Sequence, residues 1–393
     1  MENIDYLING IEQEVRKWRR HFHRFPELSF QEEKTAKFIF DRLQSFGYVS
    51  VSKPTKTSVV ASLKGRLPGK IIALRADIDA LPITEENQVE YRSQKEGIMH
   101  ACGHDGHAAM LLGAAKVLIQ LQEQIHGEIR FIFQHAEEQQ PGGAREIVAS
   151  GALDGINAII GLHLTNDLPV GKIGLTEGTV LANTDTFDLL IKGRGGHGSR
   201  PETTVDPVII ASEVVVNLQQ IISRNTSALE AAVISVTIFQ GGTSYSIIPQ
   251  TVRLGGTVRS FGVTVRENIP LLIERIVKGI TQAHGASFEF DYHQGYSAVI
   301  NDPGLVGTLR KIGRNVVNAE NVVVFPKRMA SEDFSAYLQK APGCFVFIGA
   351  SNSEKGLIYS NHNSQFDIDE ESLLYGMKVF IQSALTLTND NSV

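Results

Sequence analysis

Short apolar runs rich in β-branched residues alternate with amphipathic helical segments along the first half of the sequence. The runs before residue 165 are SVVASLKG, KIIALRADIDA, EIRFIFQHAEE and NAIIGLHL. The segment AAMLLGAAKVLIQLQEQI has a helical pattern, and further helices are predicted over 8–25 and from Ser29 to Gly47. Ser29 and Glu32 have the spacing of a capping box, and Gly47 is placed to end that helix. Strands that alternate with helices predict an α/β fold with substantial parallel pairing.

A second order of elements begins near Asn183. From TDTFDLLIKGRG to SFEFDYHQG the order is strand, helix, strand, strand, helix, strand, which is that of a ferredoxin-like fold. After this segment, CFVFIGA is predicted to be one more core strand and DEESLLYGMKVFIQSALTLT a closing helix, while the tail NDNSV is expected to fray. The sequence therefore predicts a mixed-sheet α/β domain made of 1–182 and 297–393, interrupted by a ferredoxin-like (α+β) domain over 183–296.

Composition excludes several classes of protein. The net charge of −6 and a pI near 6.1 argue against a nucleic-acid partner, which normally requires a basic patch. No apolar run approaches the roughly 18 residues of a membrane span, and MENIDYLING lacks the basic and apolar regions of a signal peptide. Cys102 and Cys344 are too few for a disulfide framework. We therefore expect a cytoplasmic protein with no nucleic-acid or membrane partner.

Residues that bind metal ions or transfer protons fall near the carboxyl ends of the predicted strands, where ligands of open α/β sheets bind. They are Asp77, Asp79, Cys102, His104, Glu137, Glu138, His163 and, after the last core strand, His362. Cysteine, histidine and carboxylate ligands suit zinc, and mixed sites of this kind also take manganese, cobalt or nickel. These side chains come from five separate segments. Five such ligands exceed the three that one catalytic zinc typically has, so we expect two ions.

Each of these residues also has a simpler interpretation. A single Cys-x-His is more often not a metal site, His163 alone at a strand end is typical of a partly buried structural histidine, and paired glutamates after a strand usually form a solvated loop. His21 and His23 point to different faces of a helix and are expected to be structural. His100, His107 and His135 are candidates for groups that support the ligands.

Two other functions stay open on the residues alone. Cys102 lies near a helix start, which lowers a thiol pKa, so it is a candidate nucleophile of a cysteine amidase with a histidine as base. A metal-dependent binding module without catalysis is the other alternative, although Glu137 beside the candidate ligands counts against it.

The segment GRGGHG over 193–198 matches the dinucleotide-binding pattern G-x-G-x-x-G. That pattern requires a helix at this point and an acidic residue about 20 positions further on, near the end of the next strand. Here SRPE follows at once, and the next strand ends in Gln240. We therefore reject a dinucleotide site and expect the glycines to form a tight loop that presents His197.

Seven segments carry a resemblance to one known family. They are LRADIDALPI, HACGHDGH, HAEEQQPGGA, GLHL, GRGGHGSRPE, SEDFS and HNSQFDID. Together they resemble the M20 metallopeptidase family, and more closely its amidohydrolase branch of hippurate hydrolases, N-acyl-amino-acid deacylases and plant indole-acetyl-amino-acid hydrolases. The likeness runs in order from about Arg19 to Asp369. It implies an aminoacylase- or carboxypeptidase-like hydrolase that cleaves an N-acyl amino acid to a carboxylic acid and a free amino acid.

The resemblance also assigns roles. It implies that two divalent ions per chain, Mn²⁺ first and otherwise Zn²⁺, Ni²⁺ or Co²⁺, are held by five ligands, namely Cys102, His104, Glu138, His163 and His362. Glu137 would be the general base, Asp77 would orient a ligand, and His197 would stabilise the oxyanion from the inserted domain. Arg259 would bind a substrate carboxylate or form an internal salt bridge.

One departure from the wider family is visible. Many peptidase members have His-x-Asp where this chain has Arg75, Ala76 and Asp77, so a usual metal histidine is missing and ACGH is expected to replace it. This weakens an assignment as a true peptidase. The inserted domain would serve as a lid and would join two or more copies of the chain as a homodimer or higher oligomer.

Overall fold

The computed structural model describes residues 2–389, so residues 390–393 of the tail predicted to fray lie outside the described part. The helices are α1 (Glu2–Arg24), α2 (Glu33–Ser45), α3 (His104–Leu118), α4 (Gly143–Ala149), α5 (Pro207–Gln220), α6 (Val263–Ala283), α7 (Pro303–Val317) and α8 (Ser372–Asn389). The strands are β1 (Ser50–Ser52), β2 (Val59–Lys64), β3 (Leu67–Asp77), β4 (His126–Gln134), β5 (Ala158–Pro169), β6 (Ile173–Leu175), β7 (Gly178–Leu181), β8 (Asn183–Lys192), β9 (Gly196–His197), β10 (Ala232–Gln240), β11 (Ile247–Ile248), β12 (Thr251–Ser260), β13 (Ser287–Gln294), β14 (Val299–Asn301), β15 (Val322–Val324) and β16 (Gly343–Ser351).

The chain divides into two compact units. Unit 1 consists of Met1–Val180, Ile300–Lys327 and Asp333–Val393, and unit 2 consists of Leu181–Val299 and Arg328–Glu332. The short segment Arg328–Glu332 belongs to unit 2, although the sequence pattern gives no sign of it. Among the described residues no helix combines the length and the apolar content needed to cross a membrane.

Unit 1 is built on a mixed eight-stranded sheet in the order β1-β2-β4-β3-β5-β16-β6-β15. Neighbouring strands β4, β3, β5 and β16 run parallel, and β2 is antiparallel to β4. Leu74, Phe131, Ile160 and Val346 on these four strands are fully buried. Such continuous apolar runs are typical of strands covered on both faces. The predicted α/β fold with substantial parallel pairing is confirmed.

Unit 2 contains a four-stranded antiparallel sheet in the order β10-β12-β8-β13. Burial alternates along β8, where Phe187, Leu189 and Ile191 are buried in the hydrophobic core of this unit, to which α5 and α6 also contribute. The two-residue period is that of a strand with one face covered. This arrangement confirms the ferredoxin-like order of elements.

The predicted start of α2 is wrong. The helix begins at Glu33, and its amino end has no capping-box hydrogen bond from Ser29. Instead, Glu27 Oε2 accepts hydrogen bonds from the backbone amides of Lys34 and Thr35, both at 2.9 Å. A carboxylate from the preceding segment thus satisfies amides that a capping residue usually serves. Gly47 follows the helix with φ 102°, a conformation that favours glycine, so the predicted end is correct.

Candidate metal centre

Cys102 and His104 lie where the chain enters α3. The helix begins at His104 itself, ahead of the segment AAMLLGAAKVLIQLQEQI whose pattern predicts it. Gly103 between them has φ 91°, a left-handed conformation that glycine adopts without strain. The resulting turn brings Cys102 Sγ to 3.6 Å from His163 Nε2.

His163 lies in the middle of β5, not at a strand end as predicted. The strand continues to Pro169 because its later residues still pair with β16, where Gly349 lies opposite Thr165. His163 Nδ1 is 2.8 Å from the carbonyl oxygen of Leu164. A carbonyl only accepts, so Nδ1 carries the proton and Nε2 presents its lone pair toward Cys102. Desolvation lowers the pKa of His163 well below its ordinary value, so the ring is neutral, as a metal ligand must be.

Glu138 and His362 approach from two other segments. His362 Nε2 is 3.1 Å from Glu138 Oε1. His362 has a left-handed backbone with φ 70°, and its amide donates to the carbonyl of Ala101 at 2.7 Å. Next to it, Asn361 Nδ2 donates to the carbonyl of Cys102 at 3.0 Å. The His362 loop is therefore fastened to the segment that carries Cys102.

These side chains form two groups of three that share the thiol. Ligand atoms of Cys102, His104 and His163 all lie within 4.8 Å of one another, and so do those of Cys102, Glu138 and His362. A third group with the same spacing contains His104, Glu137 and Glu138. The structure thus brings all five predicted ligands together, with Glu137 beside them.

The donor atoms at this centre fit divalent ions. His104 Nε2 is buried and has no hydrogen-bond partner among the described atoms, although buried polar atoms of this kind are normally paired. Burial alone would lower the pKa of His104, but Asp77, Asp79 and Cys102 raise it well above its ordinary value. Contacts with Cys102 and Glu138 raise the pKa of His362 to about 10. The anionic surroundings thus favour positive charge at both imidazoles, and a divalent cation supplies such charge.

Asp79 connects two of the ligands, a role that sequence analysis missed. Its Oδ1 is 3.1 Å from His104 Nδ1, and its Oδ2 accepts the backbone amide of Glu138 at 3.0 Å and the hydroxyl of Ser29 at 2.7 Å. A carboxylate on the far nitrogen of a ligating histidine fixes the orientation of that ring. The available signal was the two-residue spacing of Asp77 and Asp79, which places side chains on one face of an extended segment.

Asp77 lies beside these ligands in a buried network. Its Oδ1 is 2.5 Å from His107 Nδ1, and its Oδ2 accepts from Arg75 Nη1 at 2.7 Å. His107 Nε2 accepts the amide of Leu164 at 2.8 Å, so Nδ1 holds the proton donated to Asp77 and the neutral ring has no free lone pair. Burial would raise the pKa of Asp77, but Arg75 holds it well below its usual range. Asp77 Oδ2 is 3.8 Å from His104 Nε2, and its role in orienting a ligand stays a prediction.

The surroundings of Cys102 do not favour a nucleophile. Burial and the neighbouring carboxylate of Glu138 raise the pKa of the Cys102 thiol. A cysteine nucleophile needs the opposite shift, because the thiolate is the reactive form. The thiol instead belongs to both of the three-residue groups that could hold a metal ion.

His197 and Arg259 belong to unit 2. His197 lies in β9, which pairs with β11, and a Cβ on Gly195 would stand 2.6 Å from the carbonyl oxygen of Ile248, so this close approach requires glycine. His197 Nδ1 accepts the amide of Ser199 at 3.2 Å, so the neutral ring carries its proton on Nε2, and the side chain is exposed. The predicted tight loop is present. A short 3-10 helix over Pro201–Thr203 follows it in place of the helix that a dinucleotide site requires.

Arg259 lies on β12 and is half-buried. Its Nη1 donates to the neutral hydroxyl of Ser331 at 3.0 Å. The charge of Asp185 acts on Arg259 from a distance. Asp185 itself is paired with Arg266, whose Nε donates to Asp185 Oδ2 at 3.0 Å. Arg266, and not Arg259, therefore forms the salt bridge with Asp185.

The chain is similar to one protein family and to several known proteins. The sequence model of peptidase family M20/M25/M40 matches residues 73–386. The chain is 54% identical over 300 residues to an N-acyl-L-amino acid amidohydrolase of Geobacillus stearothermophilus, covering 76% of this chain and 81% of that protein. It is 40% identical to an N-acetylcysteine deacetylase of Bacillus subtilis, covering 93% of this chain and 95% of that protein. A crystal structure of a dinuclear metal-binding M20 peptidase from Bacillus subtilis superposes with a TM-score of 0.85 at 35% identity, covering 97% and 99% of the two chains.

Proposed function

The chain belongs to peptidase family M20/M25/M40, and we propose that its metal centre hydrolyses the amide bond of N-acyl amino acids, releasing a carboxylic acid and a free amino acid. It is a metal-dependent amidohydrolase, as its relatives indicate. The observation that carries the assignment of residues is the pair of three-residue ligand groups that share Cys102.

We assign the five ligands to two divalent ions. The group Cys102, His104 and His163 and the group Cys102, Glu138 and His362 would supply the side chains that hold them. When bound, the ions polarise the amide carbonyl and lower the pKa of the attacking water. We propose Mn²⁺ as the native metal, with Zn²⁺, Ni²⁺ and Co²⁺ as alternatives, because mixed N, O and S ligands accept all four.

Glu137 is proposed as the general base. It is only 7% exposed and lies within 4.8 Å of His104 and Glu138, beside the ligands. Its carboxylate takes a proton from the water as the water oxygen attacks the carbonyl carbon. As the C–N bond breaks, the same carboxyl returns the proton to the departing amine nitrogen, so one residue acts first as base and then as acid.

Two residues of unit 2 are proposed to act on the substrate. The Nε2–H of His197 would donate to the oxygen of the carbonyl as negative charge develops there, which is where a fixed donor has most effect. Arg259 would bind the carboxylate of the amino-acid part, because its guanidinium is half-buried and bonded to a neutral hydroxyl. Asp77 would orient a ligand or set its charge, and its Oδ2 is 3.8 Å from Nε2 of the proposed ligand His104.

A substrate panel tests the proposed function. Metal-loaded protein should release a free amino acid from some N-acetyl, N-benzoyl or indole-acetyl amino acids, and EDTA should abolish the release. Returning Mn²⁺ should restore it. The matched amino-acid amides without a free carboxylate serve as controls and should be poorer substrates. Activity that survives complete metal removal would contradict the proposal, as would hydrolysis of no member of the panel.

We also propose that the chain forms a homodimer through unit 2 and that His197 acts on the metal centre of the partner chain. The support is the likeness of GRGGHGSRP to relatives that use a lid histidine in this way, together with the exposure of His197. β10 and β13 are the edge strands of the sheet, and an unpaired edge is a natural surface for association. The cytoplasm is the proposed compartment, since both cysteines are free thiols.

Mixing Glu137→Ala with His197→Ala chains tests action across the dimer. If His197 serves the partner, a mixed dimer has one centre with both residues intact. Random pairing by two-fold association then returns about a quarter of wild-type activity. Size exclusion and subunit exchange must first establish that mixed dimers form. Activity that stays at the level of the separate variants in such dimers would exclude action in trans.

A further inference from the structure

Five charged side chains of unit 1 form a buried group beside the metal ligands, which we call the Arg19 cluster. Its members are Arg19, His23, Glu85, Asp105 and Asp367, and none of them is more than 5% exposed. Neither the predicted catalytic residues nor the predicted ligands belong to it. Burying charge is costly unless the charges are paired, so this cluster needs a physical reason.

Arg19 joins two carboxylates from distant parts of the chain. Its Nε donates to Asp105 Oδ2 at 2.8 Å, and its Nη2 donates to Asp367 Oδ1 at 2.6 Å. His23 supports the first carboxylate, with Nδ1 2.8 Å from Asp105 Oδ2 and Nε2 3.0 Å from Glu85 Oε1. The hydroxyl of Tyr91 donates to Asp367 Oδ2 at 2.7 Å.

Both carboxylates lie on segments that carry proposed metal ligands. Asp105 follows His104 directly in the first turn of α3, and Asp367 lies on the irregular stretch that follows His362. His362 itself has a side chain that is 53% exposed, so packing around its ring does little to fix it. Its position therefore depends on hydrogen bonds at its own backbone and on anchors such as Asp367 further along the loop.

The chemistry of arginine suits this role. A guanidinium presents several donors in a rigid fork and can hold two carboxylates at once, whereas a lysine ammonium is a compact point charge on a flexible stem. Removing the guanidinium would leave the buried carboxylates of Asp105 and Asp367 without the cation that joins them. The segments that carry His104 and His362 would then lose their shared anchor.

We propose that Arg19 is a positioning residue for the metal centre, holding the His362 loop against the start of α3 so that the ion bound by Cys102, Glu138 and His362 keeps its affinity. This inference rests on the ligand set given under the proposed function. It predicts a larger effect on this ion than on the other, because His104 and His163 lie on α3 and β5, whereas His362 lies on an irregular loop.

Titrating apo protein with Co²⁺, followed by visible absorption and by calorimetry, tests the proposal without measuring activity. His362→Ala first identifies the binding step that belongs to the His362 ion. Arg19→Lys should weaken that step by roughly 10- to 100-fold, the range for residues that orient ligands, and should weaken the other step less. Arg266→Lys is the matched control, since it alters another buried arginine–aspartate pair, with Asp185 in unit 2, and should change neither step.

The outcomes separate a positioning role from a purely structural one. If folded Arg19→Lys protein shows a lower melting temperature but binds both ions as the wild type does, Arg19 only stabilises the fold and the proposal is wrong. An equal loss in both steps also overturns it. If Arg19→Lys does not fold, Tyr91→Phe, which removes one hydrogen bond to Asp367, must weaken the same step, and no change there overturns the proposal. If His362→Ala itself alters no binding step, His362 is not a ligand. That result contradicts the ligand set of the proposed function and is distinct from a failure of the proposal for Arg19.

Discussion

Glu137→Gln protein is expected to retain both metal ions, and its kcat is expected to fall by at least ~10²-fold, the contribution typical of a general base. The amide of glutamine has nearly the same size as the carboxylate but cannot accept the proton of the attacking water. Glu137 is adjacent to the ligand Glu138 without belonging to either of the two ligand groups that share Cys102. Metal content measured by mass spectrometry, together with kcat on a hydrolysed N-acyl amino acid, checks this expectation.

Two further glutamate variants serve as controls. Glu138→Gln makes the same change one residue later, and it should lower metal affinity because Glu138 Oε1 is a proposed ligand atom. Glu123→Gln changes an exposed glutamate paired with Arg66 and should affect neither property. Near-normal kcat in Glu137→Gln, or loss of a metal ion from it, would exclude Glu137 as the base.

Cys102→Ser should weaken the binding of both ions, because Cys102 is common to the two ligand groups. Changes in residues that only orient ligands typically cost 10- to 100-fold in affinity, so loss of a shared ligand should cost at least ~10-fold for each ion. Activity should fall with metal occupancy and recover in part at high metal concentration. Co²⁺ titrations of the wild-type and variant proteins give the two affinities directly.

Cys344→Ser is the matched control for this prediction. Cys344 is fully buried in β16 and belongs to none of the candidate metal groups among the described residues. Its replacement should lower thermal stability, since it puts a hydroxyl into an apolar core, and leave metal affinity unchanged. A Cys102→Ser protein that binds both ions normally and is nevertheless inactive would support a cysteine nucleophile instead.

The sequence predicted those parts of the structure that depend on local patterning. The parallel strands β3, β4 and β5 appear as apolar runs with polar residues after them, and the order of elements from β8 to β13 is visible in their periodicity. The rule that sites form at strand ends, together with the family likeness, predicts that Asp77, Cys102 and Glu137 are site residues. These features need no knowledge of which segments meet.

The errors arise where distant segments decide the local structure. β5 extends past His163 because β16, nearly two hundred residues later, pairs with it, and α2 starts at Glu33 because Glu27 caps its amides. The role of Asp79 depends on its approach to His104, which periodicity does not report. The tautomer of His107 likewise follows from an amide of β5 that lies opposite its ring.

The position of β16 in the sheet has a consequence for biosynthesis. This strand lies between β5 and β6, yet it is translated after both of them and after all of β8 to β13. A nascent chain can complete the four-stranded sheet of unit 2 while the larger sheet still lacks an interior strand, because domains generally fold as units during synthesis. His362, the last of the proposed ligands in the sequence, follows β16 and is synthesised after it. The proposed ligand set is therefore completed only after every segment of unit 2 has been synthesised.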